Sequence, residues 1–196
     1  LFIRTLTLIF AFAFLTAQGA RYGGIILGAN ALLLNFQNLL AYLLDGFAHA
    51  AESLVGKAVG EKDNTLFKST VKICLKWSIY IALFFTFFYA LLGEQLIYLM
   101  THHQNIRDMA IEYLPWMIVS PIVSVWSFLY DGVFIGATRS RDMRNAMLVS
   151  LLVIFMPSWY LLQPLGNHGL WLAFTLFMLS RGITMHVLYR RINLSL

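Results

Sequence analysis

Apolar residues along this chain gather into six stretches, roughly 1–20, 25–58, 69–92, 110–136, 145–163 and 168–189. About 20 apolar residues make one helical crossing of a bilayer core. The pattern therefore predicts an all-α membrane protein, a bundle of six transmembrane helices. The second stretch is too long for a perpendicular crossing, which predicts a helix that tilts or projects beyond the hydrocarbon. Pro115, Pro121 and Pro157 fall in or near spans, where each removes a backbone donor and tends to bend its helix. No Ser/Pro linker, low-complexity tract or repeat divides the six stretches, so residues 1–196 read as a single lobe.

Polar residues interrupt the second stretch. Asn38, Asp45, His49 and Glu52 follow one another at spacings of seven, four and three. Those spacings put all four on one stripe of a 3.6-residue helix, with Asn35 about a quarter turn away. A carboxylate facing lipid near the bilayer centre costs about 2.5–3.5 kcal/mol on insertion scales, so the stripe should face protein or water. Two readings fit it: interhelical hydrogen bonding with the acids neutral, or a cavity-lining site for protons, cations or substrate. The second is the default for an ionisable group inside a membrane.

Depth links this stripe to two other helices. At 1.5 Å per residue, Asp45 stands about 18 Å above Lys57, His49 about 12 Å and Glu52 about 7–8 Å. In "FLYDGVFIGATR" Asp131 stands about 12 Å above Arg139, and in "FMLSRGITMHVLYRR" Arg181 stands about 13–14 Å above Arg190. If these helices are neighbours, Arg181 neutralises Asp131 or Glu52 and leaves the other acid free for a proton or cation. Burial favours the neutral form of such a carboxyl and a nearby cation favours the charged form, so proton and cation compete for it. His49, one turn from Asp45, is either a tuning group for that site or a hydrogen-bonded packing residue. Two GxxxG patterns, Gly56–Gly60 and Gly132–Gly136, permit close helix approach at the ends of the second and fourth spans.

Composition narrows the function classes. The chain is 60% hydrophobic and 12% charged with mean hydropathy +0.73, which excludes an ordinary soluble domain. The net charge of +5 comes from short clusters between apolar runs, the pattern of cytoplasmic loops and not of a nucleic-acid surface. One side collects Arg4, Lys57, Lys62, Lys68, Arg139, Arg141, Arg144, Arg190 and Arg191, and the other has Arg21 and Arg107. Both ends are therefore expected in the cytoplasm. A lone Cys74 excludes an intramolecular disulfide and a Cys-based metal site. His102 and His103, with Asp108 and Glu112 nearby, read as a solvated outer loop, and no metal site is expected. No HExxH, GxSxG or phosphate-cradling loop occurs, so neither an enzyme nor catalytic residues are expected. Leu1 opens directly on apolar sequence with no basic n-region or cleavage site, so we expect no signal peptide and read the chain as a fragment beginning in or just before its first span.

"AHAAESLVGKAVGEKD" resembles the end of the eighth helix of multidrug and toxic compound extrusion (MATE) transporters. "FLYDGVFIGATRSRDMRN" is similar to the end of their tenth helix, and "AFAFLTAQGAR" to their seventh as it stands in the DinF-like branch. The resemblance covers the whole chain and implies the C-terminal lobe, helices seven to twelve, of a two-lobed transporter. It implies antiport of hydrophobic or cationic compounds against H⁺ or Na⁺ by alternating access, with no other cofactor. The implied partners are an N-terminal lobe, the lipid bilayer and small substrates, and the implied location is a bacterial inner membrane. The principal coupling aspartate of the DinF-like branch belongs to the N-terminal lobe. Sodium-coupled NorM-type relatives carry an acid in the seventh helix, near the place where this chain has Arg4, and Asp131 resembles in role a cation-binding acid about a turn away on their tenth.

The expected substrate- or cation-binding residues are thus Asp131, Asp45, His49, Glu52, Asn38 and Asn35, with Arg181 as counter-charge. Two rival functions remain. A lipid-carrier flippase of the related superfamily would line its cavity with several Arg or Lys for an anionic headgroup, and by sequence only Arg181 fits that role. A structural or channel-type subunit would move no drug against a gradient.

Overall fold

A computed structural model describes residues 2–192; Leu1, the first residue of the expected first span, and residues 193–196 lie outside it. The described chain is helical, without strands, and folds as a bundle of six helical rods. The first four are α1 (Phe2–Arg21), α2 (Gly24–Gly60), α3 (Asn64–Met100) and α4 (Gln104–Gly136). The fifth is a continuous rod of α5 (Ser140–Val149), a π-helical stretch (Ser150–Phe155), α6 (Met156–Leu162) and a 3₁₀ turn (Gln163–Leu165). The sixth is α7 (Gly166–Arg190).

The helices outrun the apolar stretches that mark them, because apolarity records the hydrocarbon crossing while backbone hydrogen bonding continues into the interface. At 37 residues each, α2 and α3 are about 55 Å long, far more than a core of about 30 Å. α3 begins at Asn64 because Asp63 caps it: its carboxylate accepts from the amides of Thr65 at 2.8 Å and Leu66 at 2.9 Å, answering donors that have no partner inside the helix. Lys62 and Thr138, at φ 57° and 58°, turn the chain out of α2 and α4 in the left-handed region. Connections of two or three residues follow α1, α2, α3 and α4, so successive rods are antiparallel neighbours.

α4 is the central helix, with 67% of its apolar window buried against 22–33% for the others. It stays helical through Pro115 and Pro121. Pro157 acts differently: without an N–H it cannot bond the carbonyl four residues back, and the π-helical stretch ends two residues before it.

Two apolar clusters stack along the bundle. One gathers Leu33, Phe36, Leu40, Tyr89, Phe128, Trp171, Phe174 and Phe177. The other gathers Val55, Phe67, Val71, Val133, Phe134, Met143 and Met185. Along α4 and α7 the change from one cluster to the other falls around Asp131 and Arg181.

α2 and α4 pack backbone to backbone. A Cβ on Gly132 would meet the Ala48 carbonyl, and one on Gly136 the Glu52 carbonyl. A Cβ on Gly56 would lie 3.7 Å from the Gly136 carbonyl, an ordinary contact, whereas one on Gly60 would meet nothing within 4 Å. The α4 glycine pair thus seats α2, while only one member of the α2 pair is at the crossing.

Candidate functional site

The α2–α4 crossing sets the site's geometry. Leu44, Ala48 and Ala51 are buried against the bundle. Asp45, His49 and Glu52 each follow one of these, so they are turned about 100° from the packed face. The stripe consequently runs along the outside of the six-helix bundle. Asn35 and Asn38 are exposed, the His49 side chain is 79% exposed, and Glu52 and Asp45 are half-buried. Asn35 donates to the Ala31 carbonyl at 3.2 Å, and His49 Nδ1 is 3.4 Å from Glu52 Oε2. Asp45 makes no hydrogen bond or ion pair within the described residues, but Arg4, Asp131, His49 and Arg181 all lie within electrostatic reach of it.

Asp131 is placed differently. Its side chain is 3% exposed, and Oδ2 accepts from Arg181 Nη2 at 2.7 Å and from Arg4 Nε at 3.1 Å and Nη2. The Arg181 side chain is fully buried, with Nη1 3.5 Å from Met178 Sδ and its guanidinium 5.8 Å from the Phe177 ring centroid. Three helices, α1, α4 and α7, therefore meet in one ion cluster. Of the two partners considered for Arg181, Asp131 is the one it contacts, and Glu52 pairs with His49 instead.

The sequence reading missed two parts of this site. Arg4 entered only as an orientation-setting charge and as a departure from relatives, but it reaches Asp131 across 127 positions of sequence. No periodicity signals such a pair; only the depth of both residues near the same membrane face hints at it. The second part is a buried polar spine. Ser120, Ser124, Ser127 and Asp131 are spaced four, three and four on α4, all buried. Ser120 donates to Gln37 Oε1 and lies 3.3 Å from Ser124 Oγ, and Ser127 bonds the Ser124 carbonyl at 2.9 Å. That spacing is legible in the sequence, since it repeats the test applied to α2.

Nearer the opposite end of the bundle, Asn30 and Asn167 exchange amide hydrogen bonds at 2.8 and 2.9 Å, and Trp171 Nε1 donates to Asn30 Oδ1 at 2.9 Å. This clamp fixes α2 to α7 and is satisfied locally. His102 and His103 are exposed in the α3–α4 connection, and among the described residues no three metal-ligating side chains converge.

Chemically, the cluster combines a buried, doubly countered carboxylate with an unpaired half-buried one on an outward polar face. A lipid-facing surface does not tolerate that face, so protein or water covers it.

Known proteins resemble this chain over most of its length. The MatE family model matches residues 1–161. DNA damage-inducible protein F of Escherichia coli (strain K12) is 40% identical over 189 residues, 96% of this chain and 41% of that protein. Multidrug resistance protein NorM of Aliivibrio fischeri is 23% identical over 159 residues, 78% of this chain and 35% of that protein. The chain thus spans about two fifths or less of the length of these relatives. Among solved structures, an outward-facing multidrug resistance MATE family transporter of the MOP superfamily superposes with TM-score 0.87 at 20% identity, over 96% of this chain and 43% of that one. An inward-facing one gives 0.82 at 20% identity, over 96% and 44%. By family model, by identity and by fold, this chain is an integral membrane protein belonging to the MatE family, a family of membrane transporters.

Proposed function

We propose that this chain is the C-terminal lobe of a multidrug efflux antiporter that expels hydrophobic or cationic compounds in exchange for H⁺ or Na⁺. One observation carries the reading: ionisable residues of a membrane helix, Asp45, His49 and Glu52, lie on the outside of the bundle. An opposing N-terminal lobe and the water-filled cavity between the two provide the cover that such a face requires. Substrate enters that cavity, and Asp45, His49, Glu52, Asn38 and Asn35 line it. Asp131 is the buried acid behind it, held by Arg181. The name of one relative, multidrug resistance protein NorM, agrees with drug efflux, and the membrane character is compatible with a bacterial inner membrane, where the Lys/Arg bias favours both ends in the cytoplasm.

A lipid-carrier flippase is disfavoured by a specific observation. The site holds two arginines, one more than the sequence suggested, but both are engaged by Asp131. With Asp45 within reach of them, the site carries no net positive charge for an anionic headgroup. A non-transporting subunit gives no reason for an unpaired carboxylate on that face.

The test uses cells expressing the whole transporter. It should lower accumulation of a lipophilic cation dye, and Asp131→Asn and Asp45→Asn should each weaken that efflux at equal expression. Unchanged efflux in both variants refutes the site assignment.

A further inference from the structure

We propose that Arg4 is an internal counter-cation shared between Asp131 and Asp45, and that it competes with an organic cation for Asp45. The inference rests on the transport reading above and deepens it by assigning the competitor.

Charge balance carries the argument. Arg4 and Arg181 bring two positive charges to the single negative charge of Asp131. Arg181 alone neutralises that carboxylate, so one positive charge is surplus in a desolvated site, where uncompensated charge is costly. Asp45 is the acid that balances it: it lies about one turn from Ala48, whose carbonyl packs against Gly132 next to Asp131, which puts it within electrostatic reach of Arg4, and it has no ion pair of its own. With Asp45 counted, the four groups are neutral.

Mobility separates the two arginines. Arg181 is fully enclosed and also engaged by Met178, whereas the Arg4 side chain is 20% exposed and sits in the first turn of α1. If Arg4 turns away, Asp131 keeps the Arg181 bond and stays paired. The move costs Asp131 no neutrality, and it brings a guanidinium to Asp45. A cation arriving at Asp45 reverses it and returns Arg4 to Asp131. Arg4 is in this sense a positioning residue: its place decides whether the outward face presents a free carboxylate.

The experiment uses the purified full-length transporter and tetraphenylphosphonium as probe. Arg4→Gln should bind the probe at least about threefold more tightly than the unmodified protein, the worth of one partly exposed charge pair. In an Asp45→Asn background the same substitution should change binding less than about twofold, and Arg4→Lys should restore unmodified affinity. Equal effects in both backgrounds, or weaker binding in Arg4→Gln, overturn the proposal.

A second readout needs no ligand. Thermal midpoints of Arg4→Gln, Asp45→Asn and the double variant should be non-additive, the double losing less than the sum of the singles. Additive losses overturn the exchange. If the probe binds none of the proteins, the drug-binding reading fails while the thermal cycle still decides the role of Arg4.

Discussion

Asp131 and Arg181 should be unequal partners, and the inequality is measurable. Asp131→Asn removes the carboxylate that answers Arg181, whose side chain is fully buried. Removing one partner of a buried ion pair costs about 3–5 kcal/mol. Ordinary interhelical hydrogen bonds in membranes average only about 0.6 kcal/mol, because the dissociated helices also find partners, so the stranded charge dominates. Arg4 adds little to the penalty, since its side chain is 20% exposed and Asp45 is within reach to answer its charge. We expect a loss of about 3 kcal/mol, the low end because Asn keeps one acceptor for Arg181. Arg181→Met leaves Asp131 still bonded by Arg4 and should cost only about 1–2 kcal/mol, largely from lost packing. The double variant should recover most of the Asp131→Asn loss. Thermal midpoints of the purified full-length protein in detergent, followed by intrinsic fluorescence, give the comparison. An Arg181→Met loss equal to or larger than that of Asp131→Asn refutes the spare-cation arrangement.

Other substitutions test the packing around the site. Gly132→Ala should cost about 2–3 kcal/mol or abolish accumulation, because its Cβ meets the Ala48 carbonyl and a backbone cannot step aside as a side chain can; Gly60→Ala, with open space, should fold normally by the same thermal assay. Asn30→Ala deprives Asn167 and Trp171 of their shared acceptor and should lower stability by about 1–2 kcal/mol, seen as an earlier thermal transition. Asp63→Ala should cost about 1 kcal/mol through the lost cap of α3 and speed amide exchange at Thr65 and Leu66 while leaving efflux unchanged.

Much of this was legible before any coordinates, and the boundary is physical. The all-helical fold with long apolar helices follows from apolar length, because a bilayer admits few other structures. The alignment of Asp45, His49 and Glu52 follows from helical period alone. Which way that stripe faces does not, since period fixes relative angle and not the neighbour a face meets. The pairing of Arg181 with Asp131 was one of two options that depth allowed; the choice depended on α4 and α7 being adjacent. Arg4 escaped notice because its partner lies 127 residues away and a basic residue near a helix end usually marks topology. The serine spine on α4 was available at the same spacing as the α2 stripe, but serine is common in membrane helices as simple hydrogen-bonding glue. The π-helical stretch before Pro157 left no signal beyond the proline itself.

Proteoliposomes holding the full-length transporter separate coupled antiport from passive movement. A lipophilic cation is loaded, and its movement is followed under an imposed pH gradient, an imposed Na⁺ gradient, or neither. Antiport gives uphill movement driven by one of the two gradients, abolished when that gradient is collapsed and weakened in Asp45→Asn. Movement that only follows the cation's own gradient, indifferent to H⁺, Na⁺ and Asp45, would contradict it.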